Sequence, residues 1–280
     1  LRQSVLPTAD RIHPYLERID ASLWYSNRGP LVLELESRLA THFGRPADQV
    51  TALSNGTIAL VLPLLCLDLP PGSKVLVPSF TFAASAIAVI DAGLTPVFVD
   101  VDPTTWTLTP RSVEAALESV PDAAAVMPVT AFGAPMPGDW DAFTAKHGIP
   151  VVIDAAWSFD TAPRTTDTMV GISLHATKVL GAGEGGVVLA PPALTARIRQ
   201  LANFGFDADR QVAQVGRNGK LSEYGAAVGL ASLDAWPAMR PHLLALASAY
   251  VSHLGDAGIT PFPGLDGSWA TATIAVDLHE

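Results

Sequence analysis

The sequence predicts an α/β fold built on a mainly parallel sheet. Short apolar runs rich in β-branched residues alternate with stretches whose apolar residues recur at helical spacing. Small and polar residues that favour turns separate the two kinds of segment. The predicted strands are 50–53, 74–78, 95–100, 125–129, 151–154, 187–189 and 273–277. Because parallel strands end at one edge of a sheet, we expect ligand-binding residues at those carboxyl ends.

The predicted helices have recognisable local signals. Between residues 31 and 43, apolar residues recur at helical spacing, and Gly44 follows as a C-terminal stop. A further helix is expected over 221–236, where Pro237 and Pro241 should break or kink the chain. Residues 1–29 are mixed and end in a turn signal. The other predicted helices are 58–67, 83–92, a segment starting at Thr109-Pro110, 139–147, 193–201 and 243–254.

The composition suits a large buried core and excludes several kinds of partner. The chain has 280 residues, of which 49% are hydrophobic and 16% charged, so one large domain, or a large and a small one, is feasible. The sparse polar surface favours burial of part of it in an oligomer. A net charge of −10 without a Lys/Arg cluster argues against nucleic acids and anionic membranes as partners.

Cysteine content and hydropathy indicate the compartment. Cys66 is the only cysteine, which excludes an intrachain disulfide and a multi-cysteine zinc site. Residues 1–4 lack the basic-then-apolar profile of a signal peptide, and the longest apolar runs, such as 58–67, are too short to span a bilayer. The sequence therefore predicts a cytoplasmic protein, and it predicts no metal site.

Residues 171–186 contain the candidate nucleophile. Lys178 lies in an apolar, Gly-rich turn, with hydroxyl groups at Ser173 and Thr177. A lysine is costly to bury, and a desolvated amine loses its proton more readily and can form a Schiff base with a carbonyl. The alternative is a surface lysine in a flexible loop, and the stretch taken alone favours that alternative.

Two further features complete a possible cofactor site. The turn at residues 54–57 joins a strand to a helix N-terminus, where free N–H groups and the helix dipole attract a phosphate. Asp154 ends a strand, although it could instead be a helix N-cap, and Ser173 could be an ordinary turn hydroxyl. Pyridoxal 5′-phosphate (PLP) needs a phosphate cradle, a carboxylate beside its pyridine nitrogen and a lysine for its aldehyde. The combination therefore predicts a PLP site.

At these residues the chain resembles the sugar aminotransferase family called DegT/DnrJ/EryC1/StrS, which has the aspartate aminotransferase fold (fold type I). The resemblance implies a mainly parallel seven-stranded sheet flanked by helices, followed by a smaller C-terminal domain. The matching stretches are Asn27-Arg28-Gly29-Pro30, Ser54-Asn55-Gly56-Thr57, Pro78-Ser79-Phe80-Thr81-Phe82, Pro96-Val97-Phe98-Val99-Asp100, Asp154-Ala155-Ala156, Ser173-Leu174-His175-Ala176-Thr177-Lys178, Gly183-Glu184-Gly185-Gly186 and Asn218-Gly219-Lys220-Leu221-Ser222-Glu223.

The resemblance implies a role for each matching residue. Lys178 would hold the cofactor aldehyde and shuttle a proton between the amino-acid Cα and the cofactor C4′, while Asp154 would pair with the pyridinium nitrogen. Phe82 would stack on the ring; the alternative is a core phenylalanine. The implied phosphate ligands are Gly56, Thr57 and Ser173. Asn218 would reach the phosphate of the neighbouring subunit's cofactor, which requires a homodimer with shared sites.

Two features depart from the family pattern. Three residues after Asp154, where many relatives have a glutamine, the chain has Trp157, whose indole could stack on the second ring face or narrow the sugar pocket. The chain also ends just after the first strand expected of the small domain. We therefore expect a PLP-binding large domain over 1–235 and, over 236–280, the start of a small domain that is either shortened or truncated.

The predicted activity is that of a PLP-dependent transaminase in deoxyamino sugar biosynthesis. By resemblance, the donor would be L-glutamate and the acceptor a nucleotide-diphosphate sugar, a 3- or 4-keto-deoxyhexose. The alternative is a catalytically weak or inactive homologue that acts as a partner subunit or regulator. Trp157 and the chain length motivate that alternative, whereas Lys178 and Asp154 count against it. A NAD-dependent enzyme is disfavoured because no Gly-x-Gly-x-x-Gly motif follows the first strand.

Overall fold

The computed structural model describes residues 5–257 as alternating strands and helices. The strands are β1 (Val50–Leu53), β2 (Lys74–Pro78), β3 (Thr95–Val99), β4 (Ala123–Val126), β5 (Val152–Asp154), β6 (Met169–Ser173) and β7 (Gly186–Leu189). The helices are α1 (Ala9–Ser22), α2 (Pro30–Phe43), α3 (Ile58–Cys66), α4 (Ala83–Asp91), α5 (Pro110–Ser119), α6 (Trp140–His147), α7 (Pro192–Ala202) and α8 (Glu223–Asp256). The predicted strand at 273–277 lies outside the described residues.

The seven described strands align in the order β3-β2-β4-β5-β6-β7-β1. Hydrogen-bonded ladders join β3-β2-β4 and β5-β6-β7-β1. Parallel bridges between Val126 and Val151 and between Val129 and Asp154 connect β4 to β5. Among the described strands, only β7 runs antiparallel to its neighbours, β6 and β1. The mainly parallel sheet expected from the sequence is confirmed.

Helices cover both faces of this sheet. Along β7, Val187 and Leu189 belong to one apolar cluster, which also contains core residues of α1, α2, α5, α6 and α8. Val188, between them, belongs to the other cluster, with residues of α3, α4 and α7. Because successive side chains of a strand point to opposite faces, the helices form two layers around the sheet.

The prediction missed strand β6. Residues 171–186 are not one Gly-rich turn, because they begin with the end of β6 and close on the first residue of β7. Gly171 and Ser173 interrupt the apolar pattern of β6, although all five of its residues are buried. A side chain at position 171 would meet the backbone oxygen of Ala59 at 2.7 Å, so helix packing requires the glycine.

Two helices also differ from expectation. Helix α1 was not predicted, although Ile12, Leu16 and Ile19 pack into the core at helical spacing. Helix α8 runs unbroken through Pro237 and Pro241. Both prolines are exposed and lie four residues apart, so both rings lie on the side of the helix that faces solvent. The expected domain boundary at residue 235 falls within α8, and the division into domains stays a prediction.

The described residues contain neither a membrane-crossing helix nor a metal cluster. Among residues 5–257, no helix is long and apolar enough to cross a membrane. The same residues hold no group of three or more His, Cys, Asp or Glu side chains that could bind a metal ion. Cys66 is a free, buried thiol, and burial raises its pKa to about 12. It therefore stays protonated and unreactive at neutral pH.

A buried glutamate connects the N-termini of two helices. Glu223, the first residue of α8, is 1% exposed. Its carboxylate accepts the backbone N–H groups of Leu31 at 2.7 Å and Val32 at 3.1 Å, at the N-terminus of α2. These donors have no partner within their own helix, and the positive end of the α2 dipole favours the carboxylate.

We predict that Glu223→Ala lowers the free energy of unfolding by about 3 kcal/mol, because two buried N–H groups lose a charged acceptor. Urea denaturation measures the change. Glu118→Ala, at an exposed position of α5, is the control and should stay within about 0.5 kcal/mol of the wild type. Equal effects of the two substitutions would contradict the structural role of Glu223.

Candidate active site

Asp154 is the buried polar centre of the candidate site. It ends β5, next to β6 and to the segment after β4, and is 4% exposed. One carboxylate oxygen accepts the Ser85 hydroxyl at 2.7 Å, and the other accepts the Ala156 N–H at 3.1 Å. The Ser85 oxygen lies 2.7 Å from the hydroxyl of Thr81. The carboxylate is therefore held in one orientation at the carboxyl edge of the sheet.

Burial raises the pKa of Asp154 above its usual range. The hydrogen bonds from Ser85 and Ala156 and the positive charge of Lys178 lower this pKa, but by less than burial raises it. A carboxylate in this position gains most from a cationic partner inside the site, because such a partner stabilises the charged form. The protonated nitrogen of a pyridine ring is a partner of that kind.

Lys178 lies in the ordered connection between β6 and β7. Backbone hydrogen bonds from Leu174 to Gly185 and from Ala176 to Gly183 continue the pairing of the two strands into this connection. The Lys178 N–H donates to the His175 carbonyl at 2.8 Å. The residue is half-buried, so the prediction of a partly desolvated lysine fits better than that of a surface lysine in a flexible loop.

The turn at 54–57 packs directly against the end of β6. A Cβ atom at Gly56 would lie 2.7 Å from the Ser173 Cβ atom and 2.8 Å from its hydroxyl oxygen, so no larger residue fits. The Asn55 side chain accepts the Ile58 N–H at 2.9 Å and orders the start of α3. The structure thus places the predicted phosphate ligands Gly56 and Ser173 side by side, with Thr57 directly before the helix.

The two aromatic candidates have different surroundings. Trp157 is half-buried, and the Lys178 ammonium lies 4.3 Å from the centre of its ring. Phe82 is 79% exposed and directly precedes α4, three residues before Ser85. It is not a core phenylalanine, so that alternative is wrong, and its ring is accessible for stacking.

The Asn218 side chain is not hydrogen-bonded to the other candidates within the described residues. Its side-chain oxygen accepts the Lys220 ammonium at 2.9 Å, and the residue is exposed. The adjacent Gly219 carbonyl accepts the Ser54 N–H at 2.8 Å, so this segment runs beside the end of β1. Within the described chain, no hydrogen bond links the Asn218 side chain to Gly56 or Ser173. A contact with a neighbouring subunit's cofactor stays a prediction.

Sequence reasoning missed two side chains that orient the candidates. The contact of Ser85 with Asp154 could not be predicted from the sequence, because only the order of strands in the sheet brings α4 next to the end of β5. His175 could have been noticed between Ser173 and Lys178. Nδ1 of the His175 ring forms a hydrogen bond with the Thr177 hydroxyl, at 2.9 Å. Nε2 of the same ring lies 3.6 Å from the Glu184 carboxylate. These contacts join residues on both sides of Lys178 and so stabilise the connection between β6 and β7.

The arrangement agrees with comparisons to known proteins. A sequence model of the DegT/DnrJ/EryC1/StrS aminotransferase family matches residues 8–279. The chain belongs to this family. The family uses pyridoxal 5′-phosphate, and the resemblance inferred from the motifs is confirmed.

Three relatives illustrate the range of the family. The UDP-2-acetamido-2-deoxy-3-oxo-D-glucuronate aminotransferase of Pseudomonas aeruginosa is 35% identical over 90% of this chain and 72% of its own length. The dTDP-4-amino-4,6-dideoxy-D-glucose transaminase of Shigella dysenteriae is 35% identical over 83% of this chain and 64% of its own length. The crystal structure of DesI with its TDP-sugar product has a TM-score of 0.81 at 35% identity, covering 97% of this chain and 69% of that chain. The chain thus spans 64–72% of the length of these relatives.

The residues at the site fit the cofactor of the aminotransferase family. Asp154 is a buried carboxylate suited to a pyridinium partner, and Gly56, at the turn before α3, packs directly against Ser173. Ser173 adds a hydroxyl group next to that turn, and Lys178 supplies an amine close enough for its charge to act on Asp154. Each group that PLP requires is therefore present at one edge of the sheet.

We predict that Asp154→Asn in the cofactor-free protein gains stability relative to the wild type as the pH rises from about 4 to about 8. The raised folded-state pKa means that wild-type stability is greatest when Asp154 is protonated and falls as the group ionises. The asparagine has no such loss. Urea denaturation across the pH range measures the difference, and a difference that does not change with pH would contradict the prediction.

Asp141→Asn is a control with the opposite sign. Burial opposes ionisation of Asp141, but hydrogen bonds from Thr166 and Thr168 outweigh burial and lower its pKa. The wild type therefore gains stability as Asp141 ionises, and this variant should lose stability relative to the wild type as the pH rises. The loss should fade on acidification towards the folded-state pKa.

Proposed function

We propose that this chain transfers an amino group from L-glutamate to a keto sugar carried on a nucleotide diphosphate, a 3- or 4-keto-deoxyhexose. The names of the two enzymes compared above support this class of acceptor, since one names a 3-oxo sugar and the other a 4-amino sugar. We further propose that the protein acts in the cytoplasm as a homodimer, in agreement with its sparse surface charge.

The buried carboxylate of Asp154 near Lys178 is the observation that carries the proposal. Bound pyridoxal phosphate supplies an electron-withdrawing ring that stabilises negative charge at the amino-acid Cα. Asp154 would hold a proton on the ring nitrogen, and its bonds to Ser85 and Ala156 keep the carboxylate in position. Burial that raises the pKa of a carboxylate is typical of functional sites.

Lys178 would act as the proton carrier. Backbone hydrogen bonds tie its turn to β6 and β7. The backbone at Lys178 is therefore held in place while the amine reaches the substrate carbon. Proton transfer by a positioned side chain needs this restriction of movement. The Trp157 ring, 4.3 Å from the ammonium, limits where the amine moves and covers one side of the site.

The phosphate group would be held by the start of α3. Gly56 and Thr57 contribute backbone N–H groups at the positive end of the helix dipole, and Ser173 contributes its hydroxyl. We propose that Phe82, exposed at the start of α4, stacks on the cofactor ring. Asn218 would complete the phosphate site from the neighbouring subunit, since its side chain is exposed at the surface of its own chain.

We predict that Lys178→Ala reduces the rate of amino transfer by at least about 10²–10⁴-fold, the range for loss of a positioned acid–base group. Some cofactor binding should persist, because the contacts to phosphate and ring nitrogen do not involve this amine. The control is Lys146→Ala, which removes an exposed lysine paired with Glu114. Turnover in Lys178→Ala equal to that of the control would contradict the proposed role.

Absorbance spectroscopy of the PLP-loaded wild type distinguishes the two readings of the sequence. On addition of L-glutamate, a band near the edge of the visible range should shift to shorter wavelength, and D-glutamate should leave the spectrum unchanged. A protein that stays colourless with added PLP would instead favour a non-catalytic partner subunit or regulator. The spectrum thereby tests the amino-donor half of the reaction without knowledge of the sugar.

We predict that mixing subunits restores activity if the site is shared. Lys178→Ala and Asn218→Ala should each impair the homodimer, the second by weakening cofactor retention. A mixed dimer contains one site built from an intact Lys178 and an intact Asn218, so co-expression should recover up to about half of the activity per mixed dimer. Activity no greater than the sum of the two separate variants would contradict a shared site.

A further inference from the structure

A chain of two hydroxyl groups joins the buried Asp154 carboxylate to a more exposed part of the site. The Ser85 oxygen lies 2.7 Å from Oδ2 of Asp154 and 2.7 Å from the hydroxyl oxygen of Thr81. Both distances are typical of hydrogen bonds between oxygen atoms. Ser85 is fully buried, whereas Thr81 is only partly buried and directly precedes the exposed Phe82. The chain therefore leads from the segment before α4 to the end of β5.

The number of available protons fixes the direction of this chain when Asp154 is ionised. A hydroxyl group has one proton to donate, and an ionised carboxylate has none. Ser85 gives its proton to Asp154, so the proton in the bond between Thr81 and Ser85 has to come from Thr81. Hydrogen bonds in a chain polarise one another, and the Thr81 hydroxyl therefore makes the Ser85 hydroxyl a stronger donor to the carboxylate.

Protonation of Asp154 reverses or weakens the chain. With the proton on Oδ2, Asp154 donates to Ser85 and Ser85 donates to Thr81. The acceptor that the described residues then offer to Thr81 is the Phe82 carbonyl, at the longer distance of 3.4 Å. With the proton on the other oxygen, Ser85 donates to a neutral group, and hydrogen bonds to ionised groups are about twice as strong. In both cases the geometry favours the ionised carboxylate.

The other groups that act on the Asp154 carboxylate are known from the structure. Burial raises its pKa, and the Ser85 hydroxyl lowers that pKa more than any other group. The Ala156 N–H, 3.1 Å from the second carboxylate oxygen, and the charge of Lys178, in the connection between β6 and β7, lower it further. The hydroxyl chain is thus the main support of the ionised form against burial.

We propose that Thr81 and Ser85 are positioning residues that keep Asp154 ionised and thereby keep the ring nitrogen of bound pyridoxal phosphate protonated. The proposal rests on the proposed function, in which Asp154 pairs with that nitrogen. Only an ionised carboxylate stabilises a proton on the ring, and this proton gives the ring its power to withdraw electrons. Ser85 acts directly on Asp154, and Thr81 acts through Ser85.

The test uses two substitutions at Thr81, one at Ser85 and a matched control. Thr81→Val keeps the shape of the side chain and removes the hydroxyl, whereas Thr81→Ser keeps the hydroxyl and removes a methyl group. Ser85→Ala removes the direct donor. The control is Ser112→Ala, because Ser112 is likewise the third residue of its helix and its hydroxyl bonds with Thr109 at the start of α5. A general loss of helix order would affect Ser85→Ala and Ser112→Ala alike.

The first measurement follows the carboxyl carbon of Asp154 by carbon-13 NMR through a pH titration of the cofactor-free full chain. Asp154→Asn identifies the signal by removing it. The titration midpoint should rise by about one pH unit or more in Ser85→Ala, since a hydrogen bond to a charged group is lost. It should rise by a smaller amount in Thr81→Val and stay at the wild-type value in Thr81→Ser and Ser112→Ala.

The second measurement records nitrogen-15 NMR of protein loaded with pyridoxal phosphate that is labelled at the ring nitrogen. The signal should move towards that of a deprotonated ring in Ser85→Ala and Thr81→Val, because a more basic carboxylate competes for the proton, and Thr81→Ser should restore it.

A carboxyl midpoint in Thr81→Val equal to that of the wild type, or equal changes in Ser85→Ala and Ser112→Ala, would overturn the proposal. The carboxyl titration needs neither cofactor nor turnover. A wild type that does not respond to L-glutamate would therefore contradict the proposed function alone and leave the result on the hydroxyl chain standing.

Discussion

The close approach of α3 to the ends of β6 and β7 is the constraint on which the candidate site depends. A side chain at Gly186 would overlap the backbone oxygen of Asn55, and a side chain at Gly56 would overlap Ser173. Only glycine allows backbone and sheet to lie this close. The contact sets the N-terminus of α3 against the end of β6, and the chain continues from Ser173 into the turn that carries Lys178. Packing of main chain therefore fixes the spacing between the phosphate end and the amine end of the site.

The electrostatic part of the site works against the stability of the fold. Asp154 is buried deeply enough to raise its pKa, although Ser85 and Ala156 donate hydrogen bonds to it. Glu223 shows what a buried carboxylate does when its role is structural, since it accepts two backbone N–H groups at a helix N-terminus. Glu223 has two backbone donors at a helix N-terminus, whereas Asp154 has the Ser85 hydroxyl and one backbone donor and ends a strand at the carboxyl edge of the sheet. This is the pattern expected where stability has been exchanged for function.

The sequence allowed good prediction wherever the signal was local. The start of α2 after Gly29-Pro30 and its end at Gly44 depend on neighbouring residues, and both were found. Strand β6 was missed because Gly171 interrupts its apolar pattern. This glycine is required by close packing against the backbone of α3, which is distant in sequence. The break predicted in α8 was wrong because Pro237 and Pro241 both face solvent, while residues between and before them pack on the core. The turn at 54–57, Asp154 and Lys178 were predicted from their order along the chain, and Phe82, Trp157 and Asn218 only from the family resemblance. Ser85 emerged only once the strand order was known.

Trp157 changes the surroundings of the amine in a way that a glutamine could not. Its ring lies 4.3 Å from the Lys178 ammonium, and an aromatic face stabilises a nearby cation by about 0.5–2 kcal/mol. The indole therefore holds the Lys178 ammonium against its face. The positive charge near Asp154 is thereby retained, which in turn favours the ionised carboxylate. The Trp157 ring thus helps to hold the Lys178 ammonium, whose charge lowers the pKa of Asp154.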